Sequence, residues 1–138
     1  MGRIMAIDYG KKRVGIAVTD PLKIIANGLD TVATDKIFEF LEDYFRQEQV
    51  DCVVIGHPLG LDDEPTDATH LVENFLKNLR KKYPELKTET IDERFTSKRA
   101  KEIILQSGAR RKKRRNKALV DKVSAVLILQ DYMELNGL

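Results

Sequence analysis

Ile4, Met5, Ala6 and Ile7 form an apolar run that stops at Asp8, and a second β-rich stretch, Arg13 to Thr19, begins after Tyr9-Gly10-Lys11-Lys12. Two such runs around a short, glycine-containing polar break predict a β-hairpin. Pro21 interrupts the pairing, and a weaker strand near Leu29 to Val32 completes an antiparallel meander. From Asp35 to Gln47 the period changes. Ile37, Phe38, Leu41, Tyr44 and Phe45 fall at helical spacing, with Thr34 or Asp35 in place to cap the first turn.

Val50 to Ile55 reads as a buried strand ended by Gly56-His57-Pro58, with His57 in the loop; a helix followed by a buried strand implies parallel pairing. Thr66 or Asp67 caps a second helix that runs to Lys82, closes at Pro84 and turns Leu71, Val72, Phe75, Leu76 and Leu79 inward. Lys87 to Ile91 alternates as a strand. Thr96 or Ser97 then caps a helix that Gly108 ends, residues 109 to 117 are mostly charge, and Lys117 to Leu135 forms a last helix apolar on more than one face. The order βββαβαβαα predicts one α/β domain over residues 1 to 138. Its sheet is mixed and five-stranded, with antiparallel opening strands and flanking helices.

Composition narrows the chemistry. A chain of 138 residues, 42% hydrophobic and 33% charged, has enough apolar side chains for a core and is too apolar for a disordered chain. Cys52 is the single cysteine and only His57 and His70 join it, so no intramolecular disulfide and no structural zinc set is available; any metal must be oxygen-bound. No stretch approaches the roughly 20 apolar residues of a membrane span, and the start meets Asp8 too soon for a signal peptide, which places the protein in the cytoplasm.

The net charge of +2 conceals an asymmetry. Residues 94 to 122 hold 12 of the 24 lysines and arginines against two acids, Glu102 and Asp121. A basic block on an otherwise acidic chain marks a local polyanion-binding surface. Arg94, Lys98, Arg99, Arg110, Arg111, Lys112, Lys113, Arg114, Arg115 and Lys117, with Arg13, are its candidate phosphate contacts. Few aromatics interleave with them, which favours recognition of nucleic-acid backbone shape over base stacking.

Three carboxylates stand where chemistry is plausible. Asp8 ends an apolar strand beside a glycine turn. Asp92 and Glu93 follow a second such strand; neighbours on a strand point to opposite faces, so at most one of them joins Asp8, with Glu93 favoured for its longer reach and Asp92 as the alternative. Asp121 interrupts the apolar Ala118 to Leu129 stretch, where a lone charge is costly unless it is paired or metal-bound. Its plainer partners are the helix dipole, Lys117 or Lys122. Three acids brought together need a divalent cation between them, and hard oxygen ligands select Mg2+ or Mn2+. Such ions support phosphodiester hydrolysis without a histidine base or a covalent nucleophile.

The motifs Asp8-Tyr9-Gly10-Lys11-Lys12-Arg13-Val14-Gly15-Ile16-Ala17, Gly56-His57-Pro58-Leu59, Asp92-Glu93-Arg94-Phe95-Thr96-Ser97 and Asp121-Lys122-Val123-Ser124-Ala125, in this order, resemble the YqgF/RuvX family over nearly the whole chain. The resemblance implies an RNase H-like fold. It also implies a metal-dependent nuclease, related to Holliday junction resolvases and to processing of the 5′ end of pre-16S rRNA, with Asp8, Glu93 and Asp121 as its acids. The expected partner is nucleic acid, either structured RNA or a four-way DNA junction, and a resolvase would have to be a symmetric homodimer. Two rival readings are a nucleotide-binding protein, disfavoured by the single lobe and the missing phosphate-loop motif, and a non-catalytic RNA-binding or ribosome-assembly protein.

Overall fold

The computed structural model describes residues 2–57, 67–92, 102–103 and 117–138. Strands β1 (Arg3–Tyr9), β2 (Arg13–Thr19) and β3 (Ala26–Ala33) come first, followed by a 3-10 turn (Thr34–Lys36) and helix α1 (Ile37–Gln47). Strand β4 (Val50–His57), helix α2 (Asp67–Lys82), strand β5 (Lys87–Asp92) and helix α3 (Lys117–Leu135) complete the described elements. They build a five-stranded sheet in the order β3-β2-β1-β4-β5. β1 pairs antiparallel with β2 and β2 with β3, whereas β4 runs parallel to both β1 and β5. This is the mixed α/β sheet with an antiparallel opening that the sequence predicts.

Alternation along the strands splits the core into two layers. Met5 and Ile7 of β1, Val14, Ile16 and Val18 of β2 and Val53 and Ile55 of β4 pack against Ile37 and Leu41 of α1 and Val72, Phe75 and Leu79 of α2. Ile4, Ala6, Ala17, Cys52 and Val54 face the other way, onto Ala125, Ile128, Leu129, Tyr132 and Met133 of α3. Val120 and Leu127 of α3 are buried in a further cluster with Leu119 and Val123, so this helix is covered on more than one side, as its sequence implies.

Several boundaries differ from the sequence reading. β3 spans eight residues rather than a short piece around Leu29, because it pairs along all of β2 through a register shift between Ile16 and Ala17. It is an edge strand with no fully buried side chain, which erases the apolar alternation that would have announced its length. Neither Thr34 nor Asp35 caps α1 through its side chain. The Thr34 hydroxyl donates instead to the Gly10 carbonyl at 2.7 Å and ties the β1–β2 turn to the end of β3. Gly56 and His57 belong to β4, paired with Ile91 and Asp92, so His57 is a strand residue rather than a loop residue. Leu71, expected inward, is 37% exposed, and Thr69 is buried on α2. The helix expected between Thr96 and Gly108 and the charged stretch after it fall almost wholly outside the described residues.

Candidate active site

β1, β4 and β5 are parallel, so their carboxyl ends, at Tyr9, His57 and Asp92, share one edge of the sheet, and α3 starts at the same edge. Asp8 lies there, partly buried, directly opposite Gly15 of β2. Residues opposite each other in an antiparallel pair project to the same face. A Cβ on Gly15 would collide with the Asp121 backbone carbonyl, so that face is the α3 face. The sheet register therefore brings Asp8 to the side of the molecule that carries Asp121. Glycine at position 15 is what lets the helix backbone sit this close.

Two further contacts fix the start of α3. The Thr31 hydroxyl of β3 donates to the Ala118 carbonyl at 2.7 Å, one turn before Asp121. Gly28 of β3 lies under the aliphatic stem of Lys122. Asp121 is thus held through its backbone by β2 and through the preceding turn by β3.

Its carboxylate is paired as well. Arg13 Nε donates to Asp121 Oδ2 at 2.7 Å, with the side chains 36% and 21% exposed. The partner of Asp121 is therefore Arg13 from β2, not Lys117 or Lys122. Asp121 stands beyond the first turn of α3, where the helix dipole contributes at most about 1 kcal/mol. The short Arg13 contact is a charge-assisted hydrogen bond to the carboxylate itself, which the helix dipole is not. Arg13, Gly15 and Ala17 lie at alternate positions of β2, so Arg13 shares the face of Asp8 and Asp121.

Asp92 does not join them. Ile91 packs in the α3-side layer, which puts Asp92 on the opposite face, exposed and beside His57. His57 Nε2 is 3.5 Å from Glu73 Oε1 of α2, which marks that face as the α2 side. Glu93, Arg94, Lys98, Arg99 and Arg110 to Arg115 lie outside the described residues, while Lys117 is exposed as the first residue of α3. Among the described residues no three carboxylate, histidine or cysteine side chains form a metal cage. Asp8 and Asp121, on the α3 face, are hard oxygen donors of the kind Mg2+ and Mn2+ take.

A family model described as RuvX, Holliday junction resolvase, matches residues 2–135. The chain belongs to the RuvX family. This RuvX protein is 51% identical over 133 residues to a Christiangramia forsetii protein named "Putative pre-16S rRNA nuclease", covering 96% of this chain and 98% of that one. It is 46% identical over 138 residues, with full coverage of both chains, to a Bacteroides fragilis protein of the same name. Among solved structures, T. thermophilus RuvC in complex with Holliday junction substrate superposes with a TM-score of 0.57 over 99% of this chain and 97% of that one; at 13% identity the likeness is one of fold, and that fold is RNase H-like.

Gly15, Thr31 and the Arg13–Asp121 pair are the parts of this candidate site that reading the acids alone misses. A glycine inside an otherwise β-branched and apolar strand is the available signal, because such a glycine marks close backbone approach. Nothing in the local sequence announces Thr31, which acts across the sheet on a helix 87 residues away.

Proposed function

We propose that this RuvX protein is a metal-dependent nuclease that hydrolyses phosphodiester bonds in structured RNA, acting in the cytoplasm on the 5′ end of pre-16S rRNA. The observation that supports the reading is that Asp8 and Asp121 lie on one face of the sheet, Asp8 opposite Gly15 and the Asp121 backbone seated against Gly15. Glu93 is the proposed third acid, since Asp92 faces α2. The names of the relatives from C. forsetii and B. fragilis supply the substrate class. No helix among the described residues is long and apolar enough to cross a membrane.

Asp8, Glu93 and Asp121 would hold Mg2+ or Mn2+, which when bound supplies water activation and charge neutralisation at the leaving oxygen. The chain's own contribution is rigidity and charge. β1 is the central strand, paired with β4 as far as Ile7 and with β2 through Asp8 and Tyr9, so the Asp8 backbone is held by the sheet. Arg13, Lys117 and the basic residues 94–115 provide positive charge for a phosphate backbone, which positions substrate without reading sequence.

The family description favours a second reading, resolution of four-way DNA junctions, which requires a symmetric dimer with two sites. The test is cleavage of a 5′-extended rRNA hairpin and of a four-way DNA junction, in Mg2+, Mn2+ or chelator, by wild type and Asp8→Asn. Cleavage of the RNA that is lost with chelator and with Asp8→Asn is expected. Cutting of the junction alone, by a dimer, would replace it with the resolvase reading. Binding without cutting in every condition would leave a non-catalytic RNA-binding protein.

A further inference from the structure

Arg13 joins the two halves of the proposed site. It is a cation of the strand face that carries Asp8, and its Nε is 2.7 Å from a carboxylate oxygen of Asp121. Two carboxylates on one face repel each other, and the guanidinium offsets part of that repulsion in the cation-free protein. A divalent ion arriving at the same carboxylates meets this positive charge at close range, and the ion and the guanidinium oppose each other.

We propose that Arg13 is a resident counter-ion of the carboxylate site: it holds Asp121 until a divalent cation binds, then turns its guanidinium to a substrate phosphate, so that cation and nucleic acid bind cooperatively. The inference rests on the metal-dependent nuclease reading above. Its geometry suits the exchange. The Arg13 side chain is 36% exposed and starts at the first residue of β2, so its end reaches solvent without disturbing the core. Guanidinium also matches phosphate oxygens in a bidentate fork as well as it matches a carboxylate. Reciprocity of binding free energies then requires that whatever the cation does for RNA affinity, RNA does for cation affinity.

The experiment is titration calorimetry of the full-length protein with Mn2+ alone, without nucleic acid, for wild type, Arg13→Gln and Arg13→Lys, with melting temperatures recorded alongside. Arg13→Gln should bind Mn2+ about tenfold more tightly, because a unit charge next to a divalent ion has been removed. Arg13→Lys keeps the charge and should stay close to wild type, a distinction that a purely structural role would not produce. In a second arm, hairpin RNA is titrated in chelator or in Ca2+. Ca2+ should raise the affinity of wild type for RNA, and Arg13→Gln should lose most of that increase. Mn2+ affinity in Arg13→Gln that is unchanged or weaker, an equal gain in Arg13→Lys, or an equal Ca2+ response in all three proteins overturns the proposal while leaving the nuclease reading in place. Absence of Mn2+ binding in wild type overturns both.

Discussion

Asp121 rests its backbone on Gly15, the residue directly across the sheet from Asp8. The absence of a side chain at Gly15 therefore lets the backbone of α3 approach the strand face that carries Asp8. Gly15→Ala should push the start of α3 off the sheet, since the obstruction is a carbonyl that cannot rotate away. A cost of about 1–3 kcal/mol in stability is expected from such overpacking, with loss of cleavage out of proportion to the fall in melting temperature. Gly28→Ala is the control. There the added methyl meets the Lys122 side chain at 2.7 Å, which moves aside, so stability should change by less than about 1 kcal/mol and cleavage should persist. Thermal melts and single-turnover cleavage of both variants check the contrast.

Of the two adjacent acids Asp92 and Glu93, only Asp92 lies within the described residues, as the last residue of β5. Asp92 lies on the α2 side with His57, away from Asp8. Asp92→Asn should retain cleavage within about threefold, and Glu93→Gln should abolish it, with nucleic-acid binding preserved in both. Losing a metal-binding carboxylate removes transition-state stabilisation worth several kcal/mol, whereas an acid on the far face does not reach the metal. Cleavage rates at saturating Mg2+ decide the assignment, and equal losses would mean that the face argument is wrong.

The hairpin, both amphipathic helices and the buried strand β4 were legible in the sequence because each carries a period that burial on a fixed face imposes. β3 was legible only in part: as an edge strand it buries little, and a pattern written by burial fades where burial does. The candidate acids were legible from placement, Asp8 and Asp92-Glu93 at strand ends and Asp121 as a charge among apolar neighbours. Their mutual geometry was not. The pairing of Arg13 with Asp121 spans 108 positions, and short-range spacing pointed to Lys117 and Lys122 instead. The cap of α1 failed for the same reason, since Thr34 spends its hydroxyl on Gly10, a partner that only the folded sheet supplies.

The basic run Arg110 to Arg115 leads to a prediction that depends on charge alone. Neutralising these six side chains should weaken RNA binding uniformly across sequences and flatten its salt dependence, because each phosphate contact removed lowers the slope of log affinity against log salt by roughly 0.7–0.9. Stability should be nearly unchanged. Filter binding between low and physiological salt measures the slope, and a variant with the wild-type slope would show that the run does not touch phosphate.

Asp20, at the opposite end of β2, ties down a loop through its carboxylate. Its Oδ1 accepts the Ile24 and Ile25 amides at 2.8 Å each and its Oδ2 accepts the Leu22 amide at 3.1 Å. The Ile25 N–H, with those of Ile24 and Leu22, holds the carboxyl below its ordinary value of 3.8. A depressed folded value means that the stabilisation is complete above that ordinary value and disappears as pH falls through the lower folded one. Amide signals of Leu22, Ile24 and Ile25 should therefore shift together below pH 3.8, earlier than signals from β1 and β4 in the core. Asp20→Ala should show the shifted positions at neutral pH, with little change in cleavage because the loop is remote from Asp8. An NMR pH titration of both proteins checks this, and core signals moving in step with the loop would indicate global unfolding instead of local release.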